Sequence, residues 1–302
     1  MTSKEESVRF DDGKFAVGFT MSLAEAKPLQ FFPSAPPAAA EKLGFRFGAK
    51  GTHASRTLML SELEAVLAAA PAAADRAAFA AAIIENNCLE KPTATTRRIS
   101  NQRLGELYAL DPFVALFRVL RGLWDVDPKA RPLLAMLAAL ARDPLFMASA
   151  ASVLSQPAGI EIQRAPLREA LRKLVGERMN EDTVDKVVRN VSSSWTQTGH
   201  LTGRTFKHRQ RVSASPTAVA FALWLGNVAG FRGAELLTSG WVATLDCTAT
   251  SARTLAQEAK RLGLIDLRTA GDVIEFGLDR LDPGLGRLRS SVPAPQAPQG
   301  QR

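Results

Sequence analysis

Asp-Pro recurs at Asp111-Pro112, Asp127-Pro128 and Asp143-Pro144, and each pair precedes an apolar run at helical spacing. An Asp oxygen can accept from a free N–H of the first helical turn, and proline fits there because its missing N–H would have no intrahelical partner. After the first pair, Phe113, Leu116, Phe117, Leu120 and Trp124 advance by steps of about three and four, which predicts one buried helix face. Residues 111–155 therefore predict a small helical bundle whose leucines and aromatics are core. The longest apolar stretches, 132–140 and 216–231, fall short of the ~20 residues a bilayer span requires. Both predict core helices, and no membrane partner is expected.

Upstream, Ser55 predicts the cap of a helix holding Leu58, Leu60, Leu63, Val66 and Leu67, stopped by Pro71. Asp75 starts a second helix that runs through Ile84 and closes at Asn86-Asn87. A third follows Lys91, with Pro92 in its first turn, Thr93 or Thr95 as cap, and Ile99, Leu104 and Leu107 inward. Its remaining face carries Lys91, Arg97, Arg98 and Arg103, with no acid between 91 and 103. Cations near a helix N-terminus oppose the macrodipole, so clustering them there fits a polyanion partner, against the plainer reading of a solvated basic face. Three helices with a polar break before the third match a helix-turn-helix, in which the last helix enters the major groove.

Gln156-Pro157-Ala158-Gly159 is the best candidate boundary. Beyond it, 166–177 reads as a helix and Asn180 caps another through Trp195. Residues 199–212, with turn glycines and no acid, read as a basic hairpin. Helix, helix, hairpin is winged-helix order. Residues 164–211 hold 11 Lys and Arg against 5 acids, so +6 of the formal +8 lies there. Arg189, Arg204, Lys207, Arg209 and Arg211 are the expected phosphate contacts, with a solvated basic loop as the alternative. Ser192, Ser193, Ser194, Thr196 and Thr198 surround Trp195; hydroxyls suit phosphates, whereas the Trp suits a core. Thr250 or Ser251 predicts the cap of a helix over 252–262, ended by Gly263. Strands over 264–268 and 273–276 follow about an Ala270-Gly271-Asp272 turn, a second winged-helix pattern.

Catalytic patterns fail on inspection. Gly44-Phe-Arg-Phe-Gly48-Ala-Lys50-Gly-Thr52 lacks the Ser or Thr directly after Lys that a phosphate loop uses for Mg²⁺. His53, His200 and His208 are scattered, and Cys88 and Cys247 are isolated among apolar residues. Two buried reduced thiols, no metal and no cofactor are the expectation. With no leader segment recognised, the cytoplasm is the expected location. Residues 1–54, with Phe15, Phe19, Phe31, Phe32, Phe45 and Phe47 interrupted by prolines, predict an extended arm docking its aromatics onto the body. The Pro- and Gln-rich residues 284–302 predict a disordered tail.

The string Asn87-Cys-Leu-Glu-Lys91-Pro-Thr-Ala-Thr-Thr-Arg97-Arg98 resembles one associated with the BrxA family of bacterial BREX phage-defence systems. The order of parts is also similar, down to a closing helix followed by Leu262-Gly-Leu-Ile265 and a hairpin. The present chain is longer than expected for that family, with the Phe-rich arm and residues 217–241 as additions. The resemblance implies a non-catalytic DNA-binding protein acting with a methyltransferase, an ATPase and a phosphatase-like partner. It also implies DNA contacts at Lys91, Thr93, Thr96, Arg97 and Arg98. The sequence thus predicts a mainly α protein with helix-turn-helix and winged-helix-like modules and small β-hairpin wings. It divides as an arm (1–54), a helix-turn-helix and bundle (55–157), a winged-helix-like region (158–283) and a tail. Double-stranded DNA is the expected partner; an assembly adaptor for other defence proteins, or an RNA binder, are the alternatives.

Overall fold

The computed structural model describes residues 29–271 and 273–282. Residues 1–28, with Phe15 and Phe19, and the expected tail over 284–302 lie outside them. The described chain is mainly helical, with two antiparallel two-stranded sheets.

Within the described residues 29–54, the arm is folded. It carries α1 (Ala38–Lys42) and a 3-10 turn (Thr52–Ala54), and it meets the body through aromatic rings. Phe31, Phe32 and Phe45 all make edge contacts with Trp241, at centroid distances of 5.0, 6.2 and 5.5 Å. The Trp241 indole N–H donates to the Phe31 carbonyl (2.8 Å), so its polar edge is satisfied as well as its apolar faces.

Helices α2 (Leu60–Ala69), α3 (Arg76–Ile84) and α4 (Ala94–Tyr108) follow. Helix α2 starts later than a Ser55 cap would place it. The Leu58 N–H donates to Ser194 Oγ and the Leu58 carbonyl accepts from Tyr108, so this stretch is held out of the helix, and left-handed Met59 (φ 55°) precedes the first turn. Asp75 caps α3 as expected, by accepting from the Ala78 N–H. At α4 the cap is Thr93, which leaves Pro92 before the cap instead of in the first turn. Leu104 and Leu107 are buried, but Ile99 faces outward.

Helix α5 (Ala115–Trp124) begins beyond Asp111-Pro112 because Asp111 closes a turn on the Phe113 N–H; Phe113, expected in the core, is 88% exposed. Asp127-Pro128 opens a 3-10 turn leading into α6 (Arg131–Arg142), and Asp143 caps α7 (Pro144–Leu154). Residues 133–142 of α6 are all buried, as are 217–226 of α10 (Pro216–Val228). A helix apolar on every side must be surrounded, and α10 packs against α5 and α6 on one side and on α11 (Gly240–Ala243) and α12 (Ala249–Arg261) on another. One apolar cluster runs from Phe31 to Leu278 and continues across residue 157.

Helices α8 (Arg164–Val175) and α9 (Glu181–Gln197) precede the hairpin of β1 (Leu201–Thr202) and β2 (His208–Arg209). Asn180 caps α9 as expected. Thr248, ahead of the two expected candidates, caps α12, and β3 (Asp266–Ala270) pairs with β4 (Val273–Gly277) in full register. Cys88 and Cys247 are free but only half-buried, where full burial was expected.

Candidate nucleic-acid interface

The hairpin is wider than its two ladder pairs suggest. Glu161 bridges His208 antiparallel, the Ile162 N–H donates to the Lys207 carbonyl (2.7 Å), and the Arg209 N–H donates to the Ile160 carbonyl (2.8 Å). In chain order the unit is helix α7, a short strand-like segment, α8, α9, then β1 and β2, which is the element order of a winged helix. In the segment over 159–162 that pairs along β2, Ile160, Glu161 and Ile162 do alternate, but the run is too short to stand out beside the Gln156-Pro157-Ala158-Gly159 punctuation.

Helix α9 presents Val184, Val187, Val188, Val191 and Trp195 to the core at helical spacing. Its other side, with Arg189, Ser192 and Ser193, forms one wall of a cleft of about 860 Å³. Gln163 and Arg164 at the start of α8 form the second wall, and Arg204, Thr205, Phe206 and Lys207 of the wing form the third. Among the described residues, Glu161 is the only acid on the lining, against the four cations Arg164, Arg189, Arg204 and Lys207.

The structure separates cations that the protein itself uses from those left over. Arg168 pairs with Glu181 and Asp185, Arg172 with Glu181, and Lys173 with Glu169. Arg164, Arg189, Arg204 and Arg211 are exposed, with no hydrogen bond or ion pair among the described residues. Lys207 reaches back to the Gly203 carbonyl (2.6 Å) and closes the wing. Arg209 does not belong with the expected contacts. It is 1% exposed, ion-paired with Asp246, and it donates to the Gln210 carbonyl, so it braces the base of the wing from inside. Among the hydroxyls, Ser194 and Thr198 are buried, whereas Ser192 and Ser193 reach the cleft. Arg164, Thr205 and Phe206 were not singled out from the sequence. The order of wing and helix start was the available signal for them.

The first basic surface is more heavily committed. Lys91 pairs with Glu62 (3.1 Å); burial alone would raise the Glu62 carboxyl, but Lys91 holds it below its ordinary range. Arg97 donates to the carbonyl of Ile84 (2.8 Å), the last residue of α3. Arg103 pairs with Glu106 (2.8 Å), which also accepts from Thr52 and Gln102. Thr93 and Thr96 bond to each other while Thr93 caps the helix. Arg98 stays exposed with Thr95, Ile99 and Gln102 along one face of α4.

A buried chain runs Asp143–His53–Ser194: Asp143 Oδ2 to His53 Nδ1 is 2.8 Å and His53 Nε2 to Ser194 Oγ is 2.8 Å. Burial would raise the Asp143 carboxyl, yet His53 and the backbone N–H groups it accepts hold it below its usual value. The order of groups is that of a nucleophile triad, but the surroundings are not. All three side chains are buried, Phe146 stacks on the imidazole at 4.6 Å, and Ser194 Oγ already contacts the Leu58 N–H and the Asn190 carbonyl. The arrangement leaves no place for a substrate carbonyl at Oγ; it ties the arm to α7 and α9.

Fold and cleft together define a mainly α protein with small β-hairpins and a basic cleft between α8, α9 and the β1–β2 hairpin. The sequence matches no protein-family model, and no curated protein matches it.

Proposed function

We propose that this chain is a non-catalytic double-stranded DNA-binding protein that uses the cleft between α8, α9 and the β1–β2 wing, and that it serves a bacterial phage-defence system of the BREX type. The observation that carries the DNA reading is the set of cations Arg164, Arg189 and Arg204 around one cleft, without partners among the described residues, while neighbouring Arg168 and Arg172 are neutralised within the fold. Phosphates spaced along a groove need several such charges at once, and Ser193 and Thr205 supply neutral donors between them, whereas the Ser192 hydroxyl already donates to the Val188 carbonyl. The exposed Arg98 face of α4 offers a second contact in the helix-turn-helix. The defence role rests on the string at residues 87–98, and the partners it implies are a methyltransferase and an ATPase.

The test is competition. Fluorescence anisotropy of the protein on a labelled duplex, challenged with unlabelled duplex or with RNA of equal length, is expected to show duplex as the stronger competitor. RNA winning would replace the DNA reading. Absence of binding to either at low salt would favour the adaptor.

A further inference from the structure

Wings that only follow phosphates need cations and small polar residues at their tip. This tip carries, in addition, a large apolar ring. Phe206 lines the cleft and is 64% exposed, between Thr205 and Lys207 and two residues from the exposed Arg204. Exposure of one Phe is ordinary in itself; its mounting is not. Gly203 has φ +99°, and a Cβ there would stand 2.1 Å from the Phe206 carbonyl oxygen, so the turn that presents Phe206 closes on a residue without a side chain. Lys207 fastens the same turn by donating to the Gly203 carbonyl, and β2 is held on both edges, by β1 and by residues 159–162. Below it, Arg209 and Asp246 anchor the strand to the body. The backbone that carries the ring is therefore braced, and a fixed mount lowers the entropy lost on binding.

Resting on the DNA-binding reading above, we propose that Phe206 is an apolar wedge that enters a base step of duplex DNA and kinks it, while Arg204 and Lys207 hold the flanking phosphates. Apolar side chains inserted between base pairs partly unstack them and bend the duplex by about 20 to 90°. A flexible pyrimidine–purine step opens most easily, so the wedge gives the protein a preference for deformable sequence without any hydrogen bond to a base.

The experiment measures energy transfer between dyes at the two ends of a short duplex carrying a central TA step, with full-length protein and Phe206→Ala and Phe206→Leu variants, alongside anisotropy on the same duplex. Wild type and Phe206→Leu should bind and raise the transfer efficiency. Phe206→Ala should bind with an unchanged salt dependence and lose the rise. Equal transfer for wild type and Phe206→Ala, with both bound, would overturn the wedge and leave the DNA reading standing. If wild type gives no anisotropy change at all, the DNA reading fails and the wedge with it.

Discussion

At the scale of single residues, charge in the sequence and charge available to a ligand are different quantities. Arg204 and Arg209 look alike in a run of basic residues, yet one is exposed and the other is sealed against Asp246. The string at residues 87–98 shows the same division. Asn87 accepts from the Lys91 N–H, Leu89 is buried, Lys91 pairs with Glu62 and Arg97 fastens α4 to the end of α3. Most of the string thus builds the approach to α4, leaving Arg98 on the surface. Buried histidine makes a separate prediction. His200 accepts from Thr198 at Nδ1 and donates from Nε2 to the Thr244 carbonyl, and burial lowers its pKa from 6.5 to about 4. The folded state therefore favours the neutral ring, and its contribution is complete above pH 6.5 and lost as pH falls toward about 4. Up to about 3 kcal/mol of stability is at stake for a shift of that size. Thermal unfolding followed between pH 7 and 4 should show this loss in wild type and a smaller one in His200→Gln; equal loss would remove His200 as its source.

At the scale of elements, helices were legible and their junctions less so. Periodicity and caps located α3, α6, α9 and α10 because Asp75, Asn180 and proline act locally. Boundaries moved where a distant group intervened. Ser194 and Tyr108, far along the chain, hold Leu58 out of α2, and no pattern near Ser55 could show that. The cleft itself was half visible: hairpin and helix were foreseen, but the segment over 159–162 that fixes the wing is too short to be read as a strand, and it pairs through a few backbone groups. The wing gives a prediction at this scale. Gly203→Ala forces the turn open, because the new Cβ meets backbone and the φ is unfavourable for an L side chain. DNA affinity should fall several-fold while the melting temperature stays within a few degrees, since the turn is exposed. A large fall in melting temperature would mean that the turn supports the core.

At the scale of the whole molecule, helices α2 to α4, the α5–α7 bundle and the two helix–hairpin units share one core, with α6 and α10 at its centre. Long-range ties close the structure: Phe31, Phe32 and Phe45 on Trp241, His53 on Asp143 and Ser194, and a two-pronged Arg118–Asp282 pair that fixes the end of the described chain to α5. Trp241→Ala should cost about 3 to 5 kcal/mol and expose the arm together with the body. Limited proteolysis would check it: cleavage in residues 29–54 should rise in the variant, and an unchanged pattern would mean that the arm holds by other contacts. A shared core also fixes the distance between the Arg98 face and the cleft, so both can meet one duplex only in a set orientation.

The most direct test is the salt dependence of duplex binding for wild type and for the combined Arg164→Ala, Arg189→Ala, Arg204→Ala variant. Removing one Arg–phosphate interaction should reduce the slope of log K against log salt by about 0.9, so the variant should bind more weakly with a slope flatter by about 2 to 3. A variant that keeps the wild-type affinity and slope would contradict the assignment of the cleft as the DNA-binding surface.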